Sequence, residues 1–303
     1  MILQGKYPFP IKANIIPGCD GAGTVLAIGK NVTRFQPGDK VVTFINQWHL
    51  AGSMNARVMK SGLGGSLDGT FRQIGAFDEQ GLVTMPNDLS FTKAATSSCA
   101  GLTAWNALFG DPGRRTQPGH WVLTQGTGGM SIFVLQFAKA VGARVIATTS
   151  STEKEEFLRK LGADHVINYR DEPNWGEVAL KLTGGEGVDC VVDVAGPTTL
   201  TQSVAAVRLD GLINIIGIVG GGSMDAPMPS LLECWSKLFT ARGLWMGNRE
   251  QVEEMCRAIQ AAPEKLRPVV EQRVFKLEDL KDAYRYSESG HHQGKVCVDM
   301  DLR

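Results

Sequence analysis

A glycine-rich stretch near the middle of the chain has the residue types and spacing of a phosphate-binding loop. Residues 124–131 read TQGTGGMS, with serine at the last position. Glycine at 126 permits a tight turn, and glycine at 128 lets a pyrophosphate approach the backbone N–H groups that open a helix. Ser131 replaces the third glycine of the dinucleotide fingerprint, at a helix-to-strand packing position where a small residue can substitute. We predict that the dinucleotide-binding residues here are Gly126, Thr127, Gly128, Gly129, Met130 and Ser131.

Apolar strands and helical stretches alternate around this loop, and this alternation sets the predicted fold. Strands are predicted at Trp121–Thr124, Arg144–Thr148, His165–Asn168, Asp189–Val194, Leu212–Ile218 and Phe239–Leu244. Helices are predicted between them at Ser131–Val141, Thr152–Leu161, Trp175–Leu182, Thr199–Val207 and about Ser230–Lys237. Six strands with helical crossovers predict an α/β fold with a doubly wound, mostly parallel Rossmann sheet. Residues 1–93 are rich in glycine, proline and short β-type runs, which predicts a smaller β-rich domain. A purely structural βα turn, or a loop for another nucleotide-like ligand, remains an alternative for residues 124–131.

The end of the second strand indicates which dinucleotide the loop would bind. An NAD site has an acidic residue about 20 positions after the loop, where it hydrogen-bonds the ribose 2′-hydroxyl. This chain reads ATTSSTEK at residues 147–154, with no acid before position 153. Hydroxyls from Thr149, Ser150 and Ser151 and the ammonium of Lys154 suit a 2′-phosphate. The sequence therefore favours NADP(H) over NAD. In the alternative, Thr152 only caps the following helix and Lys154 is solvated.

Composition and charge argue against several classes of partner. The chain has 303 residues, of which 43% are hydrophobic and 20% are charged, and Lys+Arg 31 balance Asp+Glu 31. The length predicts two domains, and the zero net charge argues against nucleic acid or an anionic membrane as a partner. The sequence shows no apolar stretch long enough to cross a bilayer and no secretory leader after Met1. We therefore expect a cytoplasmic protein in which the six cysteines, which lack paired spacing, are reduced thiols.

Further motifs, spread over nearly the whole chain, resemble those of one family. They are PGCDGAGTV at 17–25, V-x-x-F-x-P-G-D-K-V at 32–41, G-x-x-x-G-T-F at 65–71, CAGLTAW at 99–105, LGADHVINY at 161–169 and GHHQGKV at 290–296. With the glycine loop, they resemble the medium-chain dehydrogenase/reductases, specifically the zinc-independent, quinone-oxidoreductase-like branch. The resemblance implies a GroES-like catalytic domain over 1–93 and 245–303. It also implies an NADP-binding Rossmann domain over 94–244 and an active site in the cleft between the two domains.

The resemblance also implies roles for single residues. Thr103 would lie near the nicotinamide and is the only catalytic residue predicted. Lys154 and Tyr169 would lie near the adenosine phosphate. The segment along the nicotinamide half of the coenzyme would comprise Ile216, Gly217 and Ile218. Two alternatives stay open, since Tyr169 could pack at a strand end and Thr103 could cap its helix.

Two departures from the family pattern bear on activity. Zinc-bearing members have histidine and glutamate where this chain has Cys19 and Asp20, and a cysteine at the position of Cys99. Cys19 and Cys99 could supply two thiolates, but a catalytic zinc takes three protein ligands, and the third is expected in a segment that precedes the position of Met1 in family members. No metal site is therefore predicted, and Cys99 is interpreted as a buried small side chain. Family members also carry a further segment before the position of Met1. The GroES-like domain is therefore expected to be incomplete, with reduced stability or lost activity as a hypothesis.

The combined prediction is an NADPH-dependent oxidoreductase that transfers hydride to a quinone, enone or carbonyl acceptor. Tailoring reduction in small-molecule biosynthesis is one such role. Most of the rate acceleration would come from orientation of the reactants in a cleft that excludes water. The proton would come from solvent or from a cofactor hydroxyl. Asp193 is interpreted as ending a strand and capping a loop. The alternatives are a zinc alcohol dehydrogenase and a non-catalytic NADPH-binding protein. The family resemblance also implies a homodimer, formed through the edge strand Phe239–Leu244.

Overall fold

The computed structural model describes residues 10–217 and 228–302. The chain divides into two compact units. The first unit comprises Met1–Leu102 and Met246–Arg303, and the second unit comprises Thr103–Trp245. The described residues include no helix that is long and apolar enough to span a membrane.

The leading part of the first unit is a small antiparallel sheet with short helices. Its elements are, in chain order, β1 (Ala22–Thr24), β2 (Lys40–Thr43), α1 (Ala56–Met59), β3 (Leu82–Thr84) and α2 (Phe91–Ala95). The strand order is β1-β2-β3, and both pairs are antiparallel. Phe35, Val41 and Leu82 are buried together here. A π-helical turn, Ser97–Gly101, follows α2.

The second unit is built on a six-stranded sheet connected by helices. Its elements are, in chain order, α3 (Leu102–Phe109), β4 (Trp121–Gln125), α4 (Gly129–Ala140), β5 (Arg144–Thr149), α5 (Thr152–Lys160), β6 (His165–Asn168), α6 (Trp175–Leu182), β7 (Val188–Asp193), α7 (Leu200–Ala206), β8 (Val207–Ile215), α8 (Leu232–Ser236) and β9 (Thr240–Gly243). The strand order is β6-β5-β4-β7-β8-β9, and all neighbouring strands are parallel. The predicted six-stranded parallel sheet is therefore confirmed. Because the strand order reverses between β4 and β7, their carboxyl ends flank the topological switch point, where such sheets bind ligands.

The core of the second unit explains why its central strands read as apolar runs. All five side chains of β4 are buried. A parallel strand that is covered on both faces needs apolar residues at consecutive positions rather than at alternate ones. Leu123, Val191 and Ile213, from β4, β7 and β8, belong to one buried cluster.

The strand predicted at Leu212–Ile218 differs most from the structure. β8 begins at Val207 and ends at Ile215. Val207 pairs with Val188 of β7, and the register then shifts before Cys190 pairs with Leu212. This irregularity lets an exposed segment that includes Asp210, with φ 57°, remain in the strand. A periodicity argument does not detect such a segment, because its residues at 209 and 210 are exposed.

The trailing part of the first unit contains three helices and a pair of strands. Its elements are α9 (Arg249–Ala261), α10 (Pro263–Leu266), β10 (Val270–Lys276), α11 (Leu280–Ser289) and β11 (Lys295–Asp299). Strands β10 and β11 are parallel. Asn248 and Gln251 form a capping box at the start of α9, which fixes where that helix begins.

Candidate functional site

The glycine loop connects the carboxyl end of β4 to the amino end of α4. Gly126 has φ +78°, a left-handed conformation that favours glycine. Gly128 is the N-cap of α4 and has an ordinary φ of −70°. A Cβ added at either glycine would meet none of the described atoms within 4 Å. Gly128 is exposed, and it provides no side-chain cap to this 12-residue helix. This arrangement suits an anionic group that approaches the backbone.

Ser131 lies at the packing position of the loop. Its side chain is buried, and its hydroxyl donates a hydrogen bond of 2.5 Å to the carbonyl of Gln125 at the end of β4. The hydroxyl of Thr124 in turn donates to the carbonyl of Ser131 at 3.4 Å. Thr127 is also buried, whereas Met130 is half-buried. The serine thus fastens the first turn of α4 to β4, which is the task of the third glycine in the fingerprint.

The carboxyl end of β5 lies next to this loop. The N–H of Gly126 donates to the carbonyl of Thr148 at 2.8 Å. Ser151 is the N-cap of α5, and its hydroxyl accepts a hydrogen bond from the N–H of Lys154 at 3.3 Å. The interpretation that Thr152 caps this helix is therefore wrong by one residue. Ser150 lies directly before this cap and is half-buried.

Tyr169 lies at the end of the neighbouring strand. Its N–H donates to the carbonyl of Thr149 at 3.0 Å, directly after Asn168 pairs with Thr149 in the sheet. The tyrosine side chain is 42% exposed, whereas the side chain of Thr149 is buried. The predicted residues of the loop, of β5 and of β6 therefore lie together at the carboxyl ends of three neighbouring parallel strands. The ring of Tyr169 is exposed, and its place near the adenosine phosphate stays a prediction.

A buried carboxylate at the end of β7 binds the end of β4 and the helix that follows β7. Asp193, the last residue of β7, accepts hydrogen bonds from Gln125 at 3.0 Å, from Ser203 at 2.6 Å and from the N–H of Gly196 at 2.8 Å. The prediction that Asp193 ends the strand and caps a loop is confirmed. The N–H of Ile216 donates to the backbone carbonyl of Asp193 at 2.9 Å. Gly217 follows directly, and Ile218 lies outside the described residues.

Thr103 lies in α3 and its side chain is 3% exposed. The π-helical turn Ser97–Gly101 runs directly into α3, which begins at Leu102. Helical turns therefore precede Thr103, and the interpretation of this residue as a helix cap is wrong. Its role near the nicotinamide stays a prediction.

A cluster of sulfur and charged groups lies in the first unit. One ligand-type atom each from Cys19, Asp20 and Cys99 lies within 4.8 Å of the others. The thiol of Cys99 also contacts the sulfur of Met246 at 3.3 Å. The ammonium of Lys295 donates to the carboxylate of Asp20 at 2.7 Å. All three clustered residues are half-buried, so Cys99 is not the fully buried side chain that the sequence suggested.

The electrostatics of this cluster favour a protonated thiol at Cys19 and a charged ammonium at Lys295. A hydrogen bond with Cys99, burial and the nearby charge of Asp20 raise the pKa of the Cys19 thiol well above its usual value. The Asp20 carboxylate raises the pKa of Lys295, so the lysine carries its charge at neutral pH. Lys295 and Asp20 thus form a partly buried ion pair, in which the two side chains are 29% and 21% exposed.

This donor set does not fit a catalytic zinc ion. Zinc at such a site takes three protein ligands and requires its cysteines as thiolates. Among the described residues, the cluster offers two thiols, and its third donor is already bound to a cation, the ammonium of Lys295. That ammonium would also repel a dication held by the same carboxylate. We therefore derive no chemical step through a metal.

Two family models match the chain. The model described as "Alcohol dehydrogenase GroES-like domain" matches residues 1–87. The model described as "Zinc-binding dehydrogenase" matches residues 129–261. The matched residues therefore include the three-stranded sheet of the first unit and five of the six strands of the second unit's sheet.

Curated proteins and solved structures resemble the chain over most of their length. A zinc-type alcohol dehydrogenase-like protein of Schizosaccharomyces pombe is 40% identical over 302 residues, which are 99% of this chain and 86% of the relative. The crystal structure of an NAD-dependent alcohol dehydrogenase superposes with a TM-score of 0.82 at 31% identity, covering 96% of this chain and 84% of that one. The Escherichia coli quinone oxidoreductase in complex with NADPH superposes with a TM-score of 0.80 at 25% identity, covering 98% and 86%.

Sequence reasoning did not identify the partner of Asp20. Lys295 lies in the GHHQGKV motif, but the motif does not indicate which residue it contacts. The two residues are separated by 275 positions, and no local pattern links them. Only the formation of the first unit from both ends of the chain brings them together.

Proposed function

Because the chain belongs to the medium-chain dehydrogenase/reductase family of oxidoreductases, whose Rossmann-like domain binds NAD(P), we propose that it is an NADPH-dependent enzyme that transfers hydride to a quinone, enone or carbonyl acceptor. One observation carries the coenzyme preference. Where an NAD site has an acidic residue, the carboxyl end of β5 leads into a run of hydroxyl-bearing residues, 148–152, and Lys154 follows after Glu153. That end is hydrogen-bonded to the glycine loop through Gly126 and Thr148.

Different residues at the carboxyl ends of these strands would bind different parts of the coenzyme. Gly126 and Gly128 leave room for a pyrophosphate at the amino end of α4, whose dipole favours an anion. The hydroxyls of Ser150 and Ser151 and the ammonium of Lys154 would bind the 2′-phosphate, beside the exposed ring of Tyr169. Ile216 and Gly217 would follow the nicotinamide half, and Thr103 would orient the ring. When bound, NADPH would supply the hydride for the reaction.

The proposed reaction is independent of zinc. Support comes from the cluster in the first unit, in which Lys295 already neutralises the Asp20 carboxylate. Without a metal, polarisation of the acceptor by a Lewis acid is not part of the scheme. Rate acceleration would come mainly from holding the reactants in a reactive orientation, with a solvent-derived proton completing the reduction. This scheme suits acceptors such as quinones and enones, whose conjugation already activates them toward hydride.

We also propose that the protein forms a homodimer through the free edge of β9. In the described part of the chain, this strand pairs only with β8. Large apolar side chains near it are exposed: Leu209, Leu231, Leu232, Trp235 and Leu238. An exposed strand edge beside an apolar patch suits pairing with the same edge of a second copy.

Titration and turnover together test the proposed function. Coenzyme fluorescence should show tighter binding of NADPH than of NADH, and equal binding would contradict the coenzyme assignment. NADPH should then be oxidised only when a quinone, enone or aldehyde is present. Binding without turnover across such a panel would favour a non-catalytic NADPH-binding protein. Metal analysis that found one zinc per chain would overturn the zinc-free scheme and support an alcohol dehydrogenase.

A further inference from the structure

The thiols of Cys19 and Cys99 are brought together by segments that are far apart in sequence. Their sulfur atoms lie within 4.8 Å of each other, and both side chains are half-buried rather than sealed in the core. The sulfur–sulfur bond of a disulfide is about 2.05 Å long. Closing the gap therefore requires an approach of less than about 3 Å, which rotation of the two side chains can provide.

The backbone around Cys19 is held firmly. Its carbonyl accepts a hydrogen bond from the Thr43 hydroxyl at 2.9 Å, and the next carbonyl, of Asp20, accepts one from the Thr70 hydroxyl at 2.6 Å. The chain also passes so close to Gly69 that a Cβ there would overlap the carbonyl of Gly18. Cys19 is thus presented from a fixed loop.

The backbone around Cys99 is tied to the same place. Cys99 lies in the π-helical turn Ser97–Gly101, a type of irregularity that often occurs at functional sites. The hydroxyl of Ser98 lies 3.4 Å from the Thr43 hydroxyl and accepts a hydrogen bond from the N–H of Gly21 at 3.5 Å. The hydrogen bonds of Thr43 and Ser98 therefore hold the two cysteine-containing segments next to each other, so the fold itself keeps the two thiols close.

We propose that Cys19 and Cys99 are a redox-sensitive dithiol that closes to a disulfide in exchange with a low-molecular-weight disulfide such as oxidised glutathione. This assignment does not depend on the proposed coenzyme or acceptor. A thiolate of the pair attacks the small disulfide, which forms a mixed disulfide and releases one small thiolate. The second thiolate of the pair then attacks the protein sulfur of that mixed disulfide and releases the other small thiolate. Two protein thiols lose their protons and are oxidised, and the small disulfide is reduced to two thiols.

The charged neighbours of the pair affect how fast the exchange proceeds. The hydrogen bond with Cys99, burial and the Asp20 carboxylate oppose a thiolate at Cys19, whereas the ammonium of Lys295 favours it. The exchange is therefore slow at neutral pH and faster in mildly alkaline buffer, because thiolates and not thiols are the nucleophiles.

Peptide mapping under non-reducing conditions tests this inference on the full chain. The protein is incubated with oxidised glutathione, its remaining thiols are alkylated, and it is digested with trypsin. Cys19 and Cys99 fall in separate peptides, residues 13–30 and 94–114, and each peptide holds a single cysteine. The expected product is these two peptides joined with the loss of two hydrogen atoms, and the join is reversed by dithiothreitol.

Variants distinguish this pair from general thiol oxidation. The cross-link should be lost completely in C19S and in C99S, with the remaining cysteine of the pair found as a glutathione adduct. It should persist in C234S, which removes another half-buried cysteine. Three results in the wild-type protein would each overturn the inference. They are glutathione adducts without any Cys19–Cys99 cross-link, equal cross-linking among other cysteines, and stoichiometric zinc that protects both thiols. Because the wild-type result alone can do so, a folding defect in C19S or C99S does not leave the inference untested.

Discussion

Lys154 is the residue on which the proposed coenzyme preference depends most directly. Its N–H is bound by the Ser151 hydroxyl at the start of α5, so the lysine is fixed in the first turn of that helix. The hydroxyls of Ser150 and Ser151 lie close to it in the chain, and no carboxylate lies between the end of β5 and Glu153. A phosphate placed here would meet a cation and hydroxyl donors, whereas a ribose hydroxyl gains little from the ammonium.

Replacement of Lys154 by alanine should therefore weaken NADPH binding and leave NADH binding nearly unchanged. A hydrogen bond to a charged group contributes about 1.5–3 kcal/mol, so the dissociation constant for NADPH should rise about tenfold or more. Fluorescence titration of both coenzymes measures the change. K160A is the matched control, because Lys160 lies on the same helix and is paired with Glu156 on the surface. A similar loss for both coenzymes would contradict the assignment of the 2′-phosphate site.

Cys190 shows how burial of one residue links stability to pH. Burial raises the pKa of this thiol from 9.0 to about 12. Above pH 9 the unfolded chain loses the thiol proton while the folded chain keeps it. The folded state then binds more protons, so the free energy of unfolding falls as pH rises from 9 toward 12.

C190A should flatten this alkaline loss of stability. The thiol contributes a slope approaching about 1.4 kcal/mol per pH unit in this window, and alanine removes it. Urea unfolding at several pH values between about 8 and 10.5 measures the slope. C234A, which changes a half-buried cysteine of the same unit, is the control. Identical slopes for C190A and the wild-type protein would contradict the burial argument.

At the scale of elements, the strand–loop–helix formed by β4, residues 126–128 and α4 is the part that the sequence predicts best. The apolar run before the loop and the glycine spacing are local signals, and they gave the strand to within one residue. The helix begins at Gly129, two residues before the predicted start, because Gly128 rather than a side chain serves as its N-cap. Ser131 illustrates the limit of pattern matching, since its role depends on a hydrogen bond to Gln125 that the fingerprint does not encode.

G128A separates the fold of this loop from its proposed binding role. Gly128 has φ −70° and open space where a Cβ would lie, so alanine should leave the thermal midpoint unchanged. The added methyl would project into the space proposed for the pyrophosphate, and NADPH affinity should fall about tenfold, as expected for about 1.4 kcal/mol of lost contact. G23A, in β1 of the first unit, is the control because its Cβ also meets open space. Unchanged NADPH binding in a folded G128A protein would contradict the placement of the coenzyme.

Other elements were harder to predict because their determinants are not local. β8 continues through an exposed stretch held by pairing with β7, and sequence periodicity does not report that pairing. The cluster of Cys19, Asp20, Cys99 and Lys295 requires contacts between the two ends of the chain. Local patterns predicted the sheet and the glycine loop, whereas the ion pair and the thiol pair are consequences of tertiary structure.

At the scale of the whole molecule, the exposed apolar side chains beside β9 support a dimer. Trp235 is 76% exposed and Leu231 is 89% exposed, which is unfavourable for large apolar groups left in water. A second copy that covered this edge would remove both the apolar surface and the unpaired strand edge.

W235E should shift the protein to a monomer while it remains folded. A carboxylate at this position would have to be desolvated in the interface, so the molar mass from light scattering should fall to half the wild-type value. L26E, which changes an exposed leucine of the first unit, should leave the molar mass unchanged. A wild-type protein that is monomeric at all concentrations, or a W235E protein that stays dimeric, would contradict this interface.

Transfer of deuterium from coenzyme to acceptor is the most direct test of the proposed function. Metal analysis would first establish that the protein sample contains no zinc. The protein would then be supplied with NADPH that carries deuterium at the transferable position and with an enone or an aldehyde. We predict that one deuterium appears on carbon in the reduced product, with turnover clearly faster for NADPH than for NADH. A product without deuterium, a preference for NADH, or activity only after zinc is added would contradict the account.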